Sequence, residues 1–299
     1  MRILFCDSVI DPKQVEPDFE SERDAAQQAG FSTSLLSFES LVEGEVGTAL
    51  RYVKPTSAPE LALYRGWMLT PSQYETLYEG LKSKNITLIT PLPAYQHTHY
   101  LPEWYPILAD HTPTSYWTAN ADPAAALSLA QQFERGPIIL KDYVKSEKHH
   151  WKEACYIPNP HDATAVAATV ARFLELRGES LNVGLVFRQF ETLQFLTDHA
   201  KSGMPLTKEY RLFFAQQQLV AAYQYWDEGE YGDTQPELDP FVELAKSIES
   251  PFFTMDVAQK ETGEWIIMEL GDGQVSGLPD HADRGAFYHA LASRVEFVS

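Results

Sequence analysis

The sequence predicts an α/β N-terminal domain followed by an α+β region, and three observations carry that prediction. Short apolar runs alternate with capped, helix-like segments through the first third, the pattern of parallel βαβ units. In the second half apolar runs come in pairs around turns at Gln216-Gln217 and Gly263, as antiparallel hairpins do. Hydrophobic residues make up 44% of the 299 and charged residues 22%, enough apolar surface for a sizeable core and too much for disorder.

The elements follow in order. Arg2 to Asp7 is an apolar strand ending in an acid. Pro17 to Ala29 is a polar helix closed by Gly30. Ser32 to Phe38 and Leu61 to Gly66 read as the second and third strands. Thr70-Pro71 caps a helix to about Lys84, and Ile86 to Thr90 is a β-branched fourth strand. Residues 91–113, rich in proline, aromatics and histidine, read as an irregular connection packed on the sheet. Asp122-Pro123 then caps a helix to Arg135-Gly136, and Pro137 to Asp142 is a strand. A helix over Asp162 to Leu176 precedes a strand over Val183 to Phe190. Glu209 to Phe214 pairs with Leu219 to Trp226, a helix starts at Asp239-Pro240, and Phe252 to Ala258 pairs with Glu264 to Leu270. A helix from Asp283 to Val295 ends the pattern. The expected division is residues 1–115 and 116–299.

The net charge of −19 argues against nucleic acid or an anionic membrane as partner. No window approaches 18 uncharged apolar residues, and the acid at Asp7 leaves no room for a signal peptide. Cys6 and Cys155, both in strand-like contexts, are expected to be reduced and buried in a cytoplasmic protein. The charge is uneven. Residues 1–140 carry 9 basic and 17 acidic groups, residues 141–211 carry 10 and 9, and residues 212–299 carry 4 and 16.

Phosphate-loop, dinucleotide, nucleophile-elbow and HExxH zinc motifs are all absent. Two carboxylates stand out in their place. In a hairpin closed near Gly263, Asp256 and Glu269 lie 13 apart in sequence and face each other across the strands. Facing carboxylates repel unless a cation lies between them, and magnesium, which takes one or two carboxylates plus phosphate oxygens, suits that role. The bland alternative is two edge acids in solvent. Upstream, Lys141, Lys145, Arg188 and Arg211 sit in or beside apolar strands. Cations so placed need an anionic partner or a route to water, and a shared polyphosphate would serve all four. Snorkelling at strand ends is the alternative for each alone.

The order strand-Lys, loop, strand with a polar hinge, strand-Arg, strand-Asp, strand-Glu resembles the ATP-grasp superfamily, in the clade named for one arginine and two lysines. MELGDGQVSGLP carries the resemblance most specifically, followed by GPIILKDYVK and EYRLFF. It implies two subdomains over 116–299 that grip ATP between antiparallel sheets, preceded by an α/β domain over 1–115. By position, Lys141 would contact phosphates, and Lys145 would be the second nucleotide lysine or the base of a mobile loop. The strand around Phe187, Arg188, Gln189 and Phe190 would be the hinge beside adenine, with Glu191 reaching the ribose. Arg211 would neutralise the γ-phosphate and the acyl phosphate. Asp256 and Glu269 would hold Mg2+, with Asp272 as a third group. The usual final motif is Glu-x-Asn, but Gly271 occupies the Asn position, and the loop from Val144 to Trp151 has Lys148, His149 and His150 in place of glycines.

The implied activity is an ATP-dependent carboxylate–amine ligase that forms an amide through an acyl phosphate, on an amino acid, a peptide or a protein end. A nucleotide-binding protein that acts through a partner, and a kinase-like phosphotransferase, are the alternatives. The sequence names neither substrate nor oligomeric state. His97, His99 and His111, among Tyr95, Tyr100, Trp104 and Tyr105, read as packing or as an acceptor pocket. Arg65, at a strand's carboxyl end, reads as a substrate-carboxylate ligand or an ordinary ion pair.

Overall fold

Every strand of the first sheet runs the same way. In this computed structural model, which describes residues 1–200 and 205–295, the sheet is built from β1 (Arg2–Cys6), β2 (Ser32–Leu36), β3 (Glu60–Arg65) and β4 (Ile86–Leu88). They lie in the order β2-β1-β3-β4 and all pair in parallel. Parallel pairing needs crossovers, supplied by α1 (Glu20–Gln28), by α2 (Phe38–Val42) with α3 (Val46–Ala49), and by α4 (Pro71–Lys82). Thr70 and Gln73 close a capping box at the start of α4, with Pro71 in the first turn. Gly30 takes φ +93° where the chain leaves α1, a conformation that suits glycine.

Residues 91–113 are helical rather than irregular. They form α5 (Leu92–His99) and α6 (Leu101–Leu108). Pro93 and Pro102 sit in first turns, where a missing N–H costs nothing. Eight residues are too few to display a clear helical period. Aromatic stacking does the packing: Tyr95 lies parallel to Tyr74 with ring centroids 4.1 Å apart, and His99 stacks on Tyr95 at 4.9 Å. His99 is buried among these rings, which pushes its pKa down to about 4, so packing is its role.

The second sheet, antiparallel throughout, has the order β5-β8-β6-β7. Its strands are β5 (Ser115–Thr118), β6 (Ile138–Asp142), β7 (Tyr156–Ile157) and β8 (Leu185–Gln189). It is covered by α7 (Pro123–Ala130) and α8 (Ala163–Arg177), whose N-caps Asp122 and Asp162 accept bonds from Ala125 N and from Thr164 N and Ala165 N. A short hairpin, β9 (Phe195–Asp198) and β10 (Pro205–Thr207), follows.

The third sheet has the order β12-β11-β13-β14, again antiparallel. It comprises β11 (Glu209–Ala215), β12 (Gln218–Gln224), β13 (Phe252–Gln259) and β14 (Trp265–Asp272), with α9 (Asp239–Ala245) beside it and α10 (Arg284–Val295) after it. Gln216 and Gln217 both take positive φ, +50° and +56°, as a two-residue hairpin turn demands. All eight residues of β13 are buried, and Asp256 on it is the register partner of Glu269 on β14.

One core cluster joins the parallel sheet to α10 and to part of the third sheet, through Phe287, Tyr288, Leu291, Phe213 and Phe252. Arg65 fastens the same junction. Its guanidinium donates to both carboxylate oxygens of Glu22 (2.8–3.0 Å) and to the carbonyls of Gly273 (2.7 Å) and Ser276 (2.8 Å). Tyr288 donates to the same Glu22 at 2.6 Å. The ion-pair reading of Arg65 is the correct one. Both cysteines are free and buried, burial pushing Cys6 up to about 11 and Cys155 to about 12. No helix among the described residues is long and apolar enough to cross a membrane.

Breaking a buried pair by removing one partner strands the other charge. Glu22→Ala should therefore destabilise the chain by about 3–5 kcal/mol in urea denaturation. An unchanged midpoint would show that the clamp contributes nothing.

Candidate active site

Two cation–carboxylate pairs stand where the second and third sheets meet. Lys141, on the central strand β6 and only 8% exposed, reaches across to Glu269 on β14, Nζ to Oε1 at 3.0 Å. On the third sheet Arg211 grips Asp256 through two parallel bonds, Nε to Oδ1 and Nη2 to Oδ2, each 2.8 Å. Its Nη1 donates to the Gly277 carbonyl at 3.2 Å, and the guanidinium lies over the Tyr225 ring, 4.6 Å from the centroid. Strand alternation explains the grouping, since Arg211, Asp256 and Glu269 occupy successive register positions across β11, β13 and β14.

These charges set one another's protonation. Desolvation works to raise Glu269, yet Lys141, Lys148 and Lys145 hold it down to about 2. Desolvation pulls Lys145 below the usual lysine range, with Lys141 and Lys148 pulling the same way and Glu269 opposing. Lys148 is raised: desolvation alone would lower it, but Glu209, Glu269 and Asp256 outweigh that. Glu209 itself is raised by burial, against Lys148, and accepts a bond from Thr207. Neither Lys145 nor Lys148 is taken up by a close ion pair among the described residues. The junction of the two sheets and the loop thus carries three lysines, one arginine and three carboxylates. Lys148 and Glu209 were absent from the sequence-based assignment. The signal for Lys148 was its place three residues after Lys145, in a loop read only as a lid.

The other expected residues are placed differently. Arg188 is 6% exposed and spends its two terminal nitrogens on the chain itself, on Met268 O (2.5 Å), Thr112 Oγ1 (2.6 Å) and Ile267 O (3.4 Å). Burial pulls it down to about 10, with Glu269 opposing. It binds β8 to β14 rather than standing free for a phosphate. Gln189 donates its side-chain amide to Pro137 O (3.1 Å) and its backbone N–H to Thr114 O (2.8 Å), and Phe190 N donates to Pro137 O (3.0 Å). Those two amides are occupied by the chain. The Phe190 ring meets Tyr156 (5.4 Å) and Trp151 (6.1 Å) in an aromatic trio beside the loop. Glu191 pairs with Lys260 at 3.5 Å, near the β13–β14 turn.

Asp272 does not join the carboxylate pair. It lies three positions after Glu269, so it leaves β14 by the opposite face. It is fully buried, with Oδ1 accepting from Gln274 N (3.0 Å) and Nε2 (3.1 Å), while Oδ2 has no partner among the described residues. Burial raises it to about 7, against those two bonds and Arg65. Gly271 has a steric cause. A Cβ there would come within 2.7 Å of Thr254 Oγ1 and 2.8 Å of Ser276 Oγ, whose hydroxyls bond each other at 2.8 Å. No asparagine fits unless that pair moves. His111 lies elsewhere, lining a cavity of about 710 Å³ with Trp265 and α9.

The family model of the ATP-grasp domain, R2K clade family 3, matches residues 127–291. The chain belongs to that family. Among solved structures it is similar to a RimK domain ATP-grasp protein from Sphaerobacter thermophilus, at 14% identity over 99% of this chain and 100% of that one, with a TM-score of 0.60. D-cycloserine synthetase DcsG is similar at 15% identity, over 98% of this chain and 99% of that one, with a TM-score of 0.58. The ATP-grasp ligase PsnB, complexed with precursor peptide PsnA2 and AMPPNP, is similar at 13% identity, over 98% and 96%, with a TM-score of 0.55. None of the curated proteins matches the chain in sequence. At these identities the shared property is the ATP-grasp fold.

Asp272 gives this part of the ATP-grasp strand a pH dependence. Its folded value of about 7 lies above the ordinary 3.8, so from about pH 4 to 7 the folded chain holds the extra proton. Stability falls as pH rises through that window, and the cost is complete above pH 7. In urea denaturation at pH 5 and pH 8, Asp272→Asn should remove about 3 kcal/mol of that fall. An equal fall in both proteins would show that the carboxyl titrates normally.

Proposed function

We propose that this ATP-grasp protein is an ATP- and magnesium-dependent carboxylate–amine ligase. The observation that carries the reading is the pair of cation–carboxylate contacts, Lys141–Glu269 and Arg211–Asp256, meeting where two antiparallel sheets face each other. We further take residues 116–299 as the part that grips ATP and residues 1–115 as the part that presents the substrate. The solved relatives include a synthetase and a peptide-acting ligase, which supports an amino acid, a peptide or a protein end as substrate.

The donor set fits magnesium. Among the described residues no three or more acid, histidine or cysteine groups converge on one point, but magnesium needs only one or two carboxylates when phosphate oxygens and water complete its shell. Asp256 and Glu269 are register partners and would hold it. The Lys141 and Arg211 cations in contact with them here stand in for part of that positive charge. When bound, magnesium neutralises phosphate charge and orients the transferring group.

The chain's own residues do the rest. ATP gives its γ-phosphoryl group to a substrate carboxylate, an amine attacks the acyl carbon, and phosphate leaves with the C–O bond electrons. The protein supplies fixed charge where negative charge develops. Lys141 would meet phosphate from β6, a central strand of its sheet. Arg211, held between Asp256 and Tyr225, keeps its guanidinium oriented at little cost in flexibility. Lys145 and Lys148 would bring further positive charge from the loop between β6 and β7. The Phe190–Trp151–Tyr156 trio offers flat apolar surface for a base.

Gly271 favours a second reading, a nucleotide-binding protein without turnover, because the amide usual at that position is replaced by the Thr254–Ser276 hydroxyl pair. ADP release over a panel of amino acids and peptides separates the two. Turnover with amide product supports the ligase, nucleotide binding without any turnover supports the second reading, and a stable phospho-product would make the protein a phosphotransferase.

Lys141→Ala should weaken magnesium–nucleotide binding at least about tenfold in calorimetry, as loss of a charge-assisted contact does. Unaltered affinity would move the phosphate site elsewhere. For Arg211→Ala the expected effect is on kcat, about a hundredfold or more, with little change in nucleotide affinity. A change confined to affinity would remove Arg211 from the transition state.

A further inference from the structure

Three of the four parallel strands end on one small pocket outside the cation–carboxylate pairs. It has a volume of about 400 Å³ and is lined by Asp7, Val9, Glu16, Phe38, Glu39 and Trp67. Asp7 and Val9 follow β1, Phe38 and Glu39 follow β2, and Trp67 follows β3. In the order β2-β1-β3-β4 the chain's direction of travel across the sheet reverses between β1 and β3. Open parallel sheets take ligands outside the carboxyl ends of their strands at such a reversal.

The lining has one sign of charge. Three carboxylates face the pocket and no basic side chain lines it. Asp7 is the most constrained of them. It is 92% buried by its 8% exposure, its backbone N–H is bonded to Leu36 O, and its carboxylate has no ion-pair partner among the described residues and takes no hydrogen bond from another residue. Arg51, whose charge bears on it, lies over the Tyr52 ring, 4.8 Å from the centroid. Burial raises Asp7, Arg51 opposes that from outside the pocket lining, and Glu39 and Glu16 add to it, so a cation entering the pocket would meet a carboxylate held by no close ion pair among the described residues. Trp67 is 41% exposed and anchored edge-on by Phe19 at 5.2 Å, which leaves an aromatic surface beside the carboxylates. Val9, 67% exposed, adds an apolar rim.

Among the described residues no three acidic, histidine or cysteine groups converge to hold a metal ion by protein ligands alone. Carboxylates spaced around an aromatic ring suit a larger cation, one that combines ion pairing with cation–π contact. We propose that this pocket binds an organic cation, an ammonium or guanidinium group on an apolar arm, and that the substrate of the ligase carries it. The binding stands on the pocket alone, and the assignment to substrate rests on the ligase reading.

The test is calorimetry on the nucleotide-free full chain with three probes. N-acetylargininamide and N-acetyllysinamide carry one cation each, and N-acetylcitrullinamide replaces the guanidinium by an uncharged urea. At least one cationic probe should bind, at least about tenfold more tightly than the citrulline compound, as expected for a desolvated charge pair. Asp7→Asn and Trp67→Ala should each weaken that binding severalfold while leaving magnesium–nucleotide affinity and thermal midpoint unchanged, which shows that the variants fold. Equal affinity for charged and uncharged probes, no binding at millimolar concentration, or binding indifferent to Asp7→Asn overturns the proposal. In ADP release, a cationic substrate should be preferred, with Asp7→Asn raising KM more than it lowers kcat, and no such preference removes the substrate assignment. Loss of nucleotide binding would sink the ligase reading alone, since the probe titrations need no nucleotide.

Discussion

A single guanidinium decides how the parallel sheet meets the third, antiparallel sheet. Arg65 is buried, and a buried charge is tolerated only when its donors are satisfied. It finds Glu22 on α1 and the carbonyls of Gly273 and Ser276, just beyond the end of β14. Tyr288, from α10, completes Glu22. Four distant segments must therefore arrive together. Because β14 also carries Glu269, the clamp fixes the strand on which the carboxylate pair depends. Moving the end of β14 would unseat Arg65, and losing Arg65 would release the end of β14.

The cleft is electrostatically closed within itself. Lys141 and Arg211 each hold a carboxylate, so a polyphosphate would enter a site already near neutrality rather than a bare positive patch. That arrangement reconciles an overall charge of −19 with a polyanionic ligand. Two loop lysines without close partners leave a surplus of positive charge for the newcomer. Rigid strands hold the paired charges, and the loop between β6 and β7 holds the unpaired ones.

How much of this was legible in the sequence depended on the range of the interaction. Alternation of strand and helix gave the parallel sheet, and a separation of 13 residues around Gly263 gave the facing carboxylates, because both follow from local geometry. Lys141 was legible as a charge embedded in an apolar strand. Asp272 was misplaced by its closeness in sequence to Glu269, although three steps along a strand change the face. Arg188 looked like a phosphate ligand because its carbonyl partners on β14 lie some 80 residues away. The helices of residues 91–113 hid behind proline and aromatics, whose stacking on Tyr74 only the fold reveals. The Gly271 substitution was visible, but its cause, two hydroxyls from separate segments, was not.

The docking of α10 onto the first sheet has a consequence for how the chain is made. Residues 1–90 emerge from the ribosome with β1 to β4 ready to pair, but Phe287, Tyr288 and Leu291, which complete their core, come some two hundred residues later. Until then Glu22 and Arg65 lack Tyr288 and the carbonyls beyond β14, and apolar surface of the sheet stays open. Contacts of such long sequence separation form late and slowly. These first ninety residues are thus synthesised well before the helix that completes their core, and during that interval they are in need of protection from aggregation.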